Sequence, residues 1–259
     1  QAAALSATQF LSLGAAKIAA MSSTAIAGLP PADLAALTST MLSGAGLTAT
    51  WASALTIDQV ASFNTTQVAA LSSTLVGGLS AQQVSALSLD QFAVMTSTQM
   101  GALVSTAIAG MSTTAIEQLT VTQIAGLKAT QIGVISTTGI GLFSTTEIAS
   151  MTSTQLAGLV RVQLRALTLP QVAALTTSQV GSLSPEQVGN FTSTELNTFS
   201  DSQFAAITGP QMGAMTYSQI NNFAETRIAG LTAAQLAGLT STQISGFSAA
   251  TIAPLTVEQ

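Results

Sequence analysis

The chain has 259 residues, of which 47% are hydrophobic and 6% are charged, and it carries a formal net charge of −5 with neither His nor Cys. Five Lys and Arg residues are too few for the basic surface that nucleic acids or anionic membranes attract. The lack of Cys and His excludes disulfides, thiol catalysis, zinc fingers and imidazole acid–base chemistry. Such a composition calls for a search for internal repeats.

An eight-residue repeat starts at Leu5 and continues to the truncated copy at Leu255. Its consensus is L-[ST]-x-x-Q-[IV]-[AG]-[AGS], with positions numbered one to eight from the apolar start. Position two is Ser or Thr in 25 of the 32 copies, and position five is Gln in 19. Positions three and four vary freely, which predicts that they face solvent.

Each octad contains a complete signal for the start of a helix. Ser or Thr at position two suits the N-cap, and Gln three residues later completes a capping box. The apolar residues at positions one and six then form a hydrophobic staple. Pro31 and Pro185 at position three, and Pro170 and Pro210 at position four, fall in the first helical turn, where proline is tolerated.

The repeat therefore predicts an all-α fold, a solenoid of very short helices with one helix per octad. Helices of roughly 9 Å are unstable alone and must pack on their neighbours. Small residues at positions seven and eight permit this close packing. The alternative is a β-solenoid with sixteen-residue coils, favoured by Thr, Val, Ile and Gln ladders. The opposite parity of positions one and six argues against it, because one strand would point them to opposite faces.

The domain organisation is predicted to be one array over residues 1–259, with a two-residue insertion within residues 37–46. No stretch approaches the roughly 18 apolar residues of a membrane-spanning helix. Neither end has the polar capping repeat that isolated solenoids need. We therefore expect the array to belong to a longer chain or a filament.

No catalytic, cofactor or metal site is expected from the few charged residues. Asp58, Asp90 and Glu186 stand at position four, where a carboxylate favours the start of a helix through the helix dipole. Glu225 and Arg227 are interpreted as a local surface pair of little energetic weight.

Four residues are candidate contacts with a partner. Arg161 and Arg165 lie four residues apart in the atypical octad LVRVQLRA, and Trp51 and Tyr217 are the single Trp and Tyr of the chain. The two arginines would mark a contact with a neighbouring array or an acidic glycan.

Octads such as LTLPQVAA from Leu167 and LTAAQLAG from Leu231 resemble the tandem-repeat regions of large bacterial secreted or cell-surface proteins, of the adhesin-like or biofilm-matrix type. The resemblance implies an extracellular, assembling and non-enzymatic role. We expect a structural protein that forms a filament or surface fibre by stacking on other copies of itself. The alternative is an adhesin stalk or a scaffold that binds glycans or surfaces. Neither nucleic acid nor membrane insertion is expected.

Overall fold

The computed structural model describes residues 6–247, 249–253 and 255. Within these residues the regular secondary structure consists of α-helices of four to six residues, and no β-strand is present. The prediction of one short helix per octad is confirmed. The β-solenoid alternative is excluded for this part of the chain.

The chain divides into two compact units, the first ending at Ile135 and the second beginning at Ser136. The helices described in unit 1 are α1 (Ala7–Ser12), α2 (Gly14–Ala19), α3 (Ser23–Ala27), α4 (Pro31–Ala36), α5 (Ser39–Ser43), α6 (Ala49–Ser53), α7 (Ile57–Ala61), α8 (Thr65–Ala70), α9 (Ser73–Gly78), α10 (Ala81–Ser85), α11 (Leu89–Ala93), α12 (Ser97–Ala102), α13 (Ser105–Ala109), α14 (Thr113–Glu117), α15 (Val121–Gly126) and α16 (Ala129–Ile132).

Unit 2 continues the same octad register. Its described helices are α17 (Thr137–Leu142), α18 (Thr145–Ser150), α19 (Ser153–Ala157), α20 (Arg161–Leu164), α21 (Leu169–Ala173), α22 (Thr177–Ser182), α23 (Pro185–Asn190), α24 (Ser193–Leu196), α25 (Asp201–Ala205), α26 (Gly209–Ala214), α27 (Tyr217–Asn221), α28 (Glu225–Ala229), α29 (Ala233–Ala237), α30 (Ser241–Ser245) and α31 (Ala249–Ile252).

The helices begin where the capping signal places them. In α22 the N-cap Thr176 has extended backbone angles, and its hydroxyl accepts the N–H of Gln179 at 3.1 Å. The Gln179 side chain accepts the N–H of Thr176 at 2.7 Å in return. The prolines follow the same rule, since Pro185 is the first residue of α23 and Pro170 the second of α21. The capping-box prediction is confirmed.

Within each unit the helices wind as a solenoid around an apolar core. Helices three octads apart pack together, as in the series α6, α9, α12 and α15 of unit 1 and α23, α26 and α29 of unit 2. Positions one and six supply the core, with Val180 fully buried and Leu183 only 4% exposed. The buried apolar surface stabilises the stack of helices that would not form alone.

Glycine permits the closest approach between stacked helices. A Cβ on Gly126 in α15 would lie 2.0 Å from the carbonyl oxygen of Ser97 in α12. In unit 2, a Cβ on Gly238 in α29 would lie 2.1 Å from the carbonyl oxygen of Gly209 in α26. Both Gly126 and Gly238 occupy position eight, so small residues at this position allow contact between backbones of successive turns.

The two-residue insertion within residues 37–46 enlarges a loop and does not lengthen a helix. Helix α5 keeps five residues and ends before Gly44, whose backbone is extended. The loop then passes close to the first helices of unit 1, because a Cβ on Gly46 would lie 2.5 Å from the Cβ of Ala15. A glycine is therefore required at Gly46 by space rather than by backbone angle.

Candidate functional site: a glutamine ladder between successive turns

Very short helices leave most of their backbone polar groups without partners inside the helix. The first four N–H groups and the last four C=O groups of any helix lack intrahelical partners. In a helix of five residues these groups make up nearly the whole backbone. Their burial is unfavourable unless other groups bond to them.

The Gln at position five bonds to backbone groups with both ends of its amide. Gln179 accepts the N–H of Thr176 through Oε1 and donates from Nε2 to the carbonyl oxygens of Ile148 at 2.9 Å and Met151 at 2.8 Å. The two carbonyls lie at the end of α18 and just after it, one turn of the solenoid earlier. One side chain thus joins the start of one helix to the end of another.

We call such a side chain a rung, and the set of rungs the glutamine ladder. The acceptors are typically the carbonyls 31 and 28 residues earlier, so one turn within each unit contains between three and four octads. Gln at position five between residues 59 and 243 is always buried, with at most 7% exposure. The inter-turn bonds are donated by Gln59, Gln67, Gln83, Gln91, Gln99, Gln123 and Gln131 in unit 1 and by Gln171, Gln179, Gln187, Gln203, Gln211, Gln219, Gln235 and Gln243 in unit 2.

The ladder continues past the insertion without losing a bond. Gln59 reaches the carbonyls of Ile26 and Leu29, which are 33 and 30 residues earlier. Each separation is two residues longer than the usual value, which equals the length of the insertion. The loop absorbs the extra residues, and the contact between turns is kept.

Asp33 is a shorter acidic side chain at a position where most octads have Gln. Its N-cap is Pro30, which has no N–H to offer, and its Oδ2 is buried without a hydrogen-bond partner. Burial raises the pKa of the Asp33 carboxyl above its ordinary value of 3.8. In a capping box the N-cap residue donates its N–H to the side chain at position five. Pro30 has no N–H, so the Asp33 carboxyl lacks this partner.

Trp51 also stands at position five, and the structure places it in the core of unit 1. Its side chain is 1% exposed, and its buried indole N–H has no hydrogen-bond partner. A partner cannot reach the ring in this fold, because the surrounding helices cover it. The sequence prediction treated Trp51 as a candidate contact residue, and its burial follows from its register.

The other three candidate contact residues lie on the surface of unit 2. Arg161 is exposed and lines a groove that also contains Glu186 and Asn190. Arg165 donates from Nε to the Asn190 carbonyl at 3.3 Å, so both arginines lie near this residue. Tyr217 is 42% exposed, and its hydroxyl donates to the carbonyl of Gly246 at 2.7 Å. Arg165 and Tyr217 thus also link elements of successive turns.

The acidic residues in the described part of the chain lie apart from one another. Among the described residues, no group of three or more His, Cys, Asp or Glu side chains could hold an ion. Asp58, Asp90 and Glu186 stand in the first turns of α7, α11 and α23, as their sequence positions predict. Across the described part of the chain, no helix is long and apolar enough to cross a membrane.

Residues 162–193 match the family model of the ALTTAQ repeat. This segment runs from the second residue of α20 to the first residue of α24. It includes the sequence ALTTSQ at residues 174–179, which differs from the family name at one residue. The match supports a tandem-repeat region. A comparison with curated proteins finds no match to the chain.

The role of Gln between turns was not predicted, although the sequence contains a signal for it. A capping box needs only an acceptor at position five, which Glu and Gln supply equally. The sequence has 19 Gln and only two Glu at this position. Because only the amide also donates, this preference indicates a second hydrogen bond from Nε2.

Proposed function

We propose that the chain is a structural protein, a solenoid scaffold that forms a bacterial extracellular filament or surface fibre by stacking on copies of itself. The observation that carries the proposal is the glutamine ladder. In octad after octad the strongly preferred residues are used to cap helices, fill the core and join turns. Such an architecture is suited to a long, regular and mechanically continuous element.

The surface chemistry supports self-association. The exposed residues are mostly Ser, Thr and Ala, and charged residues are 6% of the chain. A weakly charged surface lacks the repulsion that keeps many soluble proteins apart. A contact between copies that does not close on itself produces a filament.

The proposal includes no catalytic role. Asp58, Asp90 and Glu186 are dispersed at the starts of separate helices, and the sequence contains neither His nor Cys as nucleophile or base. These features favour a structural protein over an enzyme, since catalytic sites gather groups with matched geometry.

Sedimentation velocity over a dilution series, combined with electron microscopy of the same samples, tests the proposal. We expect fibres whose length grows with protein concentration and changes little with added salt, because few charges are available to be screened. Discrete, monodisperse particles at every concentration would contradict it. Antibody labelling of intact producing cells tests the location, and labelling that requires cell lysis would argue against the cell surface.

A second candidate function is an adhesin stalk or a scaffold that binds glycans. The observation that favours it is an open groove of about 710 Å³ across α9, α12 and α15. Hydroxyl side chains and one cation line this groove, namely Ser73, Thr74, Ser97, Thr98, Thr122 and Lys128. Binding to a glycan array by particles that stay monomeric would favour this function over the filament.

A further inference from the structure

One rung of the ladder is a cation. Arg227 occupies position five in α28, and its guanidinium donates from Nη1 to the carbonyl of Leu196 at 3.1 Å and from Nη2 to the carbonyl of Phe199. These carbonyls are 31 and 28 residues earlier, as for a Gln rung. The group also lies over the ring of Phe204, with Cζ 5.0 Å from the ring centroid. The interpretation of Arg227 as the partner of Glu225 is therefore replaced by an inward contact.

The guanidinium keeps hydrogen-bonding capacity after these bonds. It has five N–H donors, and the two bonds to carbonyls leave several of them unused. Both bonds go to neutral oxygens, and no carboxylate of the described residues lies within 4.0 Å of the group. Two hydrogen bonds and the ring contact therefore fix the orientation of the charged group.

A pocket of about 300 Å³ opens beside this group, between α25 and α28. Arg227 and Thr226 line it from α28, with Gly230 just after that helix, while Asp201, Phe204 and Ala205 line it from α25. Arg227 therefore supplies a positively charged hydrogen-bond donor and Asp201 a negatively charged acceptor. Thr226 adds a hydroxyl, and Phe204 and Ala205 add an apolar surface. These are the few convergent polar groups on an apolar wall that small-molecule sites require.

We infer that this pocket is a binding subsite for a neutral saccharide. A ligand between Asp201 and Arg227 must donate to the carboxylate and accept from the guanidinium. Sugar hydroxyl groups do both, and neighbouring hydroxyls satisfy the two oxygens of a carboxylate together. The C–H face of the sugar ring packs on Ala205 and Gly230.

Charged ligands fit this pocket less well than neutral ones. An acidic sugar would be attracted by Arg227 but repelled by Asp201, and an amine would meet the reverse. In both cases the ligand loses hydration without a net gain in charge pairing. The inference rests on the second candidate function for one point, that the ligand is a glycan. It does not depend on whether the chain forms filaments.

The test uses saturation-transfer NMR on the whole chain with methyl glycosides of glucose, galactose, mannose and N-acetylglucosamine. Glucuronate serves as the charged comparison. We expect transfer to at least one neutral glycoside, with affinity in the millimolar range because the pocket is open on one side. Transfer to none of the glycosides, or to glucuronate alone, would overturn the inference.

Two variants locate the site. Arg227→Gln installs the residue that forms the other rungs, so the bonds to Leu196 and Phe199 are kept while the charge is removed. Asp201→Asn removes the opposite charge without changing shape. We expect each variant to weaken binding at least tenfold while the circular dichroism spectrum is unchanged.

Lys17→Gln is the control, because Lys17 is also a cation at position five but lies exposed in α2 of unit 1 and does not line this pocket. It should bind as the unaltered chain does. Binding that survives both Arg227→Gln and Asp201→Asn would overturn the inference. Fibre formation measured on the same samples should be unchanged in both variants, so that a loss of binding is assigned to the sugar site and not to assembly.

Discussion

Two stretches of the array differ in their position-five residues. From α21 to α23 the rungs Gln171, Gln179 and Gln187 each join two turns of unit 2. In α13 and α14 the same position is occupied by the buried residues Ala107 and Ala115. Those two helices form nonetheless. Helix α14 has a local cap from the Ser112 hydroxyl, whereas α13 follows Val104 without a side-chain cap and depends on its buried apolar residues, such as Ile108. Gln is therefore not needed to start a helix, and its distinctive contribution is the hydrogen bond between turns.

This separation of roles has a consequence for stability. In a repeat protein each unit contacts only its neighbours, so the loss of one rung weakens a local segment and the turns beside it. Unfolding is then graded along the array, and amide hydrogen exchange reports it residue by residue. Four substitutions, three of them with a control variant, test the roles of these residues.

The largest effect is expected from Gln179→Ala, which converts a rung to the Ala type. The N–H of Thr176 and the carbonyls of Ile148 and Met151 would lose their amide partner while buried. Since each unsatisfied buried group costs about 1–3 kcal/mol, we expect local destabilisation of about 3 kcal/mol after partial access of water. Hydrogen exchange around Thr176 should accelerate accordingly.

The control for this substitution is Gln9→Ala. Gln9 is exposed, and its side chain bonds only to Ser6 within its own helix start. The loss of the cap alone should cost less than about 1 kcal/mol. Equal effects of the two substitutions would show that the inter-turn bonds contribute nothing beyond capping.

A smaller effect, about 2 kcal/mol, is expected from Gly126→Ala. The new methyl group would overlap the backbone of Ser97, so α12 and α15 must separate. Gly110→Ala is the matched control, because the nearest atom to its Cβ would be 3.5 Å away and its φ is negative. Urea unfolding should show a loss of stability for the first and a slight gain for the second.

Glu195→Gln should stabilise the array by about 1 kcal/mol. The buried Glu195 carboxylate accepts the N–H of Thr192 but has no N–H for carbonyls of the preceding turn. Gln would add those bonds and complete the ladder between Gln187 and Gln203. Glu147→Gln is the control. Glu147 also stands at position five but is partly exposed, so the urea midpoint should change less. A loss of stability in Glu195→Gln would show that no carbonyl of the preceding turn accepts a hydrogen bond from the new amide.

The smallest effect concerns pH and Asp33. Because the folded-state pKa is raised, the folded protein binds the proton more tightly than the unfolded chain. This contribution to stability is present below pH 3.8 and is lost as pH rises through the higher folded-state pKa. Asp33→Asn should remove this part of the pH dependence of unfolding. An unchanged pH profile in the variant would contradict the assignment to Asp33.

Much of the local structure could be predicted because its chemistry lies within a few residues. Thr176, Gln179 and Val180 suffice to indicate an N-cap, a capping box and a staple, and the helix begins where they place it. The site could be predicted only in part. Trp51 was expected as a contact but is buried, since position five turns inward in this fold, and Arg227 was assigned to a neighbour in sequence rather than to the turn before.

The helical class, the helix starts, the core positions and the length of the repeat can all be predicted from the amino-acid sequence. This is so because capping and hydrophobic periodicity act over distances shorter than one octad. The number of octads in a turn, and the carbonyls to which each Gln donates, follow from the tertiary packing. Those features depend on how closely stacked helices approach, which glycines such as Gly126 and Gly238 set through contacts about 29 residues apart. The Gln amide then forms hydrogen bonds with the backbone groups that this packing places beside it.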